Sequence, residues 1–247
     1  MSPPSGRTKA PSPLVRELSR ELARHADAKY RAGVQGFFRE PVELHGVRTP
    51  DVRRISRAFW SRLKHLPKSE ILALCDELAA VGTFEERGIA FGWAERLADR
   101  FEPRDFARLE RWLVRHVSNW AACDTLSCGP LGRFLLRFPE FLPRLGRWAR
   151  SRNRWQRRAA AVALIIPNRQ GRYLDEAFEI ADILHEDSDD MVQKGYGWML
   201  KEIANRERGL VFDYVMRNRH RMPRTALRYA IEKMPPALKR RAMARPR

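Results

Sequence analysis

The chain has little cysteine: Cys75, Cys123 and Cys128 are its only three in 247 residues, and they stand at no metal-ligand spacing. That count excludes a disulfide framework, argues against a structural zinc site, and fits a reducing cytoplasm. Long apolar runs are absent as well. The longest uncharged stretch near the middle, Ala159 to Asn168, is far too short to cross a bilayer. No P-loop, GxGxxG or GxSxG occurs, and the six histidines are scattered with no H-x-x-x-H pair. No metal or cofactor is expected. Nothing matches a helix-turn-helix, zinc-finger, RNP or KH signature, so sequence-specific readout of nucleic acid is not indicated. The opening MSPPSGRTKAPSP lacks an apolar segment, is not a secretory signal, and reads as a mobile tail over residues 1–13.

What is present is helical. Leu14, Leu18 and Leu22 keep one face, as do Ile71, Leu74, Leu78 and Val81, and Phe106, Leu109, Leu113 and Val117. No alternating strand and no Asn-Gly or Asp-Gly hairpin signal interrupts them. The class is all-α. Thr83, Ser118, Asn153 and Ser188 are good N-cap residues, each opening an apolar helical run, at separations of 35, 35 and 35. Proline at 103 and 139 starts a second helix between them, tolerated where the missing N–H has no helical partner. Two helices per ~35–45 residues is the pattern of an α-solenoid of HEAT-like helix pairs. One helix of each pair then lines a concave surface, formed by the helices opening at 83, 118, 153 and 188 and those near 28–40 and 50–64. The expected organisation is a single repeat domain over 14–236 and a basic C-terminal tail over 237–247.

Acid is the scarce charge: 30 Asp and Glu against 48 Lys and Arg, a net charge of +18. Such a surplus is a statement about polyanionic partners. From Phe141 to Leu174 no acid occurs, while Arg144, Arg147, Arg150, Arg152, Arg154, Arg157, Arg158, Arg169 and Arg172 do. Guanidinium forks match phosphate oxygens, so an Arg-rich concave face predicts a phosphate-backbone cradle. A membrane is not expected, because no basic amphipathic helix carries an exposed aromatic edge. The bland alternative is a solvated basic face in an Arg-biased proteome.

A few residues could carry chemistry. Trp120 and Asp124 are four apart and share a helix face across small residues. They are either a carboxylate beside an indole that a ligand can reach, or a core tryptophan with a capping acid. Arg158 interrupts the apolar row Trp155, Val162, Ile165; an arginine there needs a partner, with Asp124 a candidate, or a ligand, or it snorkels. Trp198 sits in Gly195-Tyr196-Gly197-Trp198 within a helical run. The glycines allow close approach of a backbone or ligand, or tight helix packing as Gly92-Trp93 also suggests. Asp187, Asp189 and Asp190 read as helix-start charges.

HGVRTPDVRR (45–54), SNWAACD (118–124), WQRRAA (155–160) and VQKGYGWMLKEIA (192–204) together resemble the AlkD-type DNA alkylation repair glycosylases, over about residues 14–234. The resemblance implies HEAT-like repeats and a monofunctional N-glycosylase that excises cationic N3- and N7-alkylated purines from duplex DNA without a deep base pocket. It places the catalytic aspartate on Asp124, lesion-binding aromatics on Trp120, Trp198 and Tyr30, and a phosphate-binding arginine on Arg158, beside which Arg152, Arg154 and Arg157 are candidate DNA contacts. It implies a cytoplasmic, nucleoid-associated monomer in base excision repair. The competing reading is a non-catalytic HEAT-like scaffold for nucleic acid, and a third is a basic RNA-associated protein.

Overall fold

The structure, a computed structural model, describes residues 10–244. Among these no strand occurs, and the all-α expectation holds. The chain divides into two compact units between Ala94 and Glu95, where a single domain was expected.

The first unit holds α1 (Pro13–Arg24), α2 (Ala28–Gln35), α3 (Thr49–Leu63), α4 (Lys68–Val81) and all but the last residue of α5 (Phe84–Glu95). α1 packs on α3 and α4, burying Val15, Leu18 and Leu22. Gly82 ends α4 in the left-handed conformation at φ 100°, the usual helix terminator because it lacks the Cβ that clashes there. The HGV of the 45–54 motif is a turn built around a buried acid. Glu85 accepts the backbone N–H groups of His45, Gly46 and Val47 at 3.0, 2.8 and 3.0 Å. Gly46 has φ 87°, and a Cβ on it would lie 2.6 Å from Arg31 Cβ. The motif therefore contributes structure: three adjacent donors that would otherwise be buried unpaired share one carboxylate.

The second unit runs through α6 (Phe106–His116), α7 (Trp120–Leu126), α8 (Gly132–Arg137), α9 (Pro143–Ala149), α10 (Arg154–Val162), α11 (Ile165–Arg169), α12 (Leu174–Leu184), α13 (Asp190–Ala204), α14 (Arg208–Asn218), α15 (Arg224–Ala230) and α16 (Pro236–Met243). α7, α10, α13 and α15 form one layer, each packed on the next; α9 packs on α12, and α14 on α16, in the other. Helix pairs stacked in this way are the repeat that the cap spacing predicts. Two of the four caps lie one residue later than expected. Asn119 Oδ1 accepts Ala122 N–H at 2.9 Å, and Asp189 Oδ1 accepts Met191 N–H at 2.8 Å. Thr83 and Asn153 cap as predicted. Each shift moves to a neighbour with a side-chain carbonyl or carboxylate oxygen, a capper as good as serine.

α7 and α8 form a nearly continuous run broken by a π-helical turn, Ser127–Leu131. Pro130 lies inside it; lacking an N–H and crowding the carbonyl four residues back, proline cannot sit in a regular α-turn. The core of this unit is aromatic around Phe106, which stacks on Trp148 with centroids 5.7 Å apart and planes 9° apart.

Helices reach into the described parts of both predicted tails. Residues 1–9 lie outside the described residues, but α1 begins at Pro13 and the Ser12 N–H donates to Glu77 at 2.8 Å. The stretch assigned to a C-terminal tail is largely α16. Pro236 starts it at the first turn, Ala242 is buried, and Arg219 donates to the carbonyls of Arg241 and Ala244. Arg241 lies over the Phe212 ring at 5.1 Å and packs through its stem.

Candidate active site

α7 presents Trp120 and Asp124 one turn apart, both half-buried. Arg158, on α10, reaches across and forks onto the carboxylate: Nε donates to Oδ1 and Nη2 to Oδ2, each at 2.8 Å. Its Nη1 donates to the Met191 carbonyl on α13. One guanidinium thus ties three helices together. The pair is deeply set, with the arginine side chain 6% exposed and the aspartate 17%. Of the readings open for Arg158, the partnered one is correct. Three of its nitrogens are thereby engaged by Asp124 and the Met191 carbonyl.

α13 is shaped around this contact. Met191, Gly195, Trp198 and Glu202 recur at helical spacing and form one stripe. A Cβ on Gly195 would lie 3.0 Å from Arg158 Cγ. The glycine lets the arginine stem lie against the helix. Gly197, on another face, does a different job: its Cβ would stand 2.7 Å from both the Ala226 carbonyl oxygen and Tyr229 Cβ on α15. Gly92 faces open space, so the likeness between Gly92-Trp93 and Gly197-Trp198 is one of sequence alone. Trp93 is fully buried and donates to Ser56. Trp198 is half-buried, on the same helical stripe as Gly195.

Burial is the largest influence on the Asp124 carboxyl and pushes it above the usual carboxylate range, against the opposing pull of Arg158. Burial likewise raises the neighbouring Cys128 thiol, to about 12, and Cys123 further. Both stay protonated, and neither is a nucleophile at neutral pH. Among the described residues no cluster of His, Cys, Asp and Glu could hold a metal ion, and no helix is long and apolar enough to cross a membrane.

The other predicted DNA contacts are less available than the acid-free run implied. Arg157 forks onto Asp187 at 2.6 and 3.3 Å, and Arg154 lies 2.9 Å from Asp189 while stacking over Trp155. Of the four arginines, only Arg152 is exposed. Tyr30 belongs to the first unit, on α2, with the Arg48 guanidinium 5.2 Å from its ring centroid. Sequence reasoning missed Glu202 and Arg169. Glu202 accepts Trp198 Nε1–H at 3.0 Å and Arg169 Nε at 3.0 Å; the four-residue spacing of Trp198 and Glu202 was the available signal.

The sequence pattern of one protein family, described as DNA alkylation repair enzyme, matches residues 18–234. The chain belongs to the DNA alkylation repair enzyme family. Its helical fold is shared with a predicted DNA alkylation repair enzyme from Enterococcus faecalis, at TM-score 0.75 and 15% identity over 86% of this chain and 98% of that one. The smu.31 protein of Streptococcus mutans UA159 is similar at TM-score 0.50 and 20% identity, over 65% of this chain and 85% of that one. No curated protein matches. Membership of this family supports a role in the repair of alkylated DNA.

Proposed function

We propose that this DNA alkylation repair protein is an AlkD-type monofunctional glycosylase that releases cationic N3- and N7-alkylated purines from duplex DNA. The observation that supports it most is the buried Asp124 carboxylate, held at both oxygens by Arg158 on a face shared with Trp120.

An alkylated purine already carries positive charge, so it leaves without an acid to protonate it. Hydrolysis then needs two things: stabilisation of the oxocarbenium-like sugar, and a water aimed at C1′. The N-glycosidic electron pair passes to N9 and neutralises the base; water oxygen bonds to C1′; its proton goes to the carboxylate. Asp124 supplies both the negative field and the proton acceptor. Each oxygen still offers a lone pair beyond its bond to Arg158. Its raised basicity suits the second task. Trp120 and Trp198 offer π faces to a cationic nucleotide, worth ~0.5–2 kcal/mol each. Arg158 fixes the carboxylate instead of the DNA backbone, leaving phosphate contact to exposed arginines such as Arg152.

Single-turnover release of N7-methylguanine from duplex DNA tests the proposal. Asp124→Asn keeps the size and should keep duplex binding while losing nearly all release. Full release by that variant would remove Asp124 from the chemistry. Absence of release by the wild type, with tight duplex binding, would favour the non-catalytic scaffold.

A further inference from the structure

The Trp198 indole is anchored at its polar edge. Its Nε1–H donates to Glu202 Oε1 at 3.0 Å, and Oε2 of the same carboxylate accepts Arg169 Nε at 3.0 Å and Asn205 Nδ2 at 3.2 Å. Glu202 is buried. Burial alone would raise its carboxyl, but the bonds from Arg169 and Trp198 outweigh that and hold it below the usual range. It is an anion at neutral pH. Packing does not require one. A half-buried indole could donate to a neutral acceptor, and a neutral side chain of similar volume would fill the space without the desolvation cost of a buried charge.

We propose that Glu202 is the positioning residue for Trp198. Fixed by Arg169 and Asn205, its carboxylate holds the indole in one orientation on the α13 stripe and, by drawing on the N–H, enriches the π face offered to a cationic purine. This rests on the reading of Trp198 as a lesion-binding ring. The physical basis has two parts. A tryptophan side chain has only two torsions, and one directed bond at the ring edge settles both. Hydrogen-bonded chains also polarise their members, and a ring with more electron density on its face attracts a cation more strongly.

The test combines kinetics with spectroscopy on the full chain. Single-turnover release from duplex DNA carrying N7-methylguanine is compared for wild type, Trp198→Ala, Glu202→Ala, Glu202→Gln and the double alanine variant. The Trp198 indole N–H resonance, assigned by its loss in Trp198→Phe, is followed in parallel. Glu202→Ala should be about tenfold slower, an estimate from one charge-assisted hydrogen bond. It should cost nothing further in the Trp198→Ala background, which is the signature of acting through that ring. Its indole N–H signal should shift and exchange faster, and Glu202→Gln should recover part of the rate. Should Glu202→Ala fail to fold, Glu202→Gln alone decides: its indole resonance must move and its rate must fall, or the proposal is overturned. A slow Trp198→Ala beside a full-rate Glu202→Ala overturns the positioning role alone, as do additive losses in the double variant. A full-rate Trp198→Ala removes the lesion-binding reading and this proposal with it.

Discussion

Arg158 grips both carboxylate oxygens of Asp124 at 2.8 Å, from 34 residues further along the chain. The pair is buried, so each charge depends on the other. Removing the arginine leaves an uncompensated carboxylate in a desolvated place.

The first prediction concerns pH. The Asp124 carboxyl is raised, chiefly by burial, and the chemistry needs it ionised. Activity is therefore lost as pH falls through that raised value, with an acid limb above the usual aspartate range near ~3.9. In Arg158→Gln the downward pull is gone, and the limb should move to still higher pH. Rate–pH profiles under single-turnover conditions check both, and a limb at the ordinary value in the wild type contradicts the assignment.

Three glycines should respond differently to alanine. Gly92 faces open space within α5, so Gly92→Ala should stabilise by about 0.5–1 kcal/mol through helix propensity. Gly197→Ala pushes against α15 backbone and should destabilise by about 1–3 kcal/mol. Gly195→Ala meets the flexible stem of Arg158. It should reduce base release more than stability by tilting the guanidinium off Asp124. Urea titrations beside activity assays separate the three.

Two histidines bound the pH range of stability. His45 is raised, chiefly by its bond to Glu86. The stability it contributes is fully present below ~6.5 and is lost as pH rises through its folded value. His185 is lowered by burial, so its effect has the opposite sense, with stability lost as pH falls below ~6.5. Urea midpoints across pH should decline at both ends. His45→Gln should flatten the alkaline side and His185→Gln the acid side.

Arginines of one run should separate by partner. Arg152 is exposed, and Arg152→Ala should weaken duplex binding across all sequences and reduce the salt slope by about 1. Arg157 is held by Asp187, and Arg157→Ala should instead lower stability with the slope unchanged. Fluorescence anisotropy at several salt concentrations reads the first, and chemical denaturation the second.

Much of this was legible in the chain. Periodicity gave the helices, and the four caps gave the repeat to within one residue, because apolar spacing and capping are local. The ion-pair partners of the arginines were not legible, for a non-local reason. An acid-free window looks like a bare cationic face, yet in stacked helices the neighbours of a side chain lie about one repeat away. Arg154 and Arg157 find Asp189 and Asp187 there, and Arg158 finds Asp124. Glu202 went unread because a helical glutamate looks like a solvated one until Arg169 arrives from α11.

The π turn after Asp124 has a consequence for engineering. It accommodates one residue more than a regular helix would over the same rise, so the two flanks differ in phase by about 100°. Excising a single residue between Ser127 and Leu131 would return the segment to even pitch and rotate Trp120 and Asp124 away from Arg158. A lesion-handling face would be lost without any of its own side chains being changed.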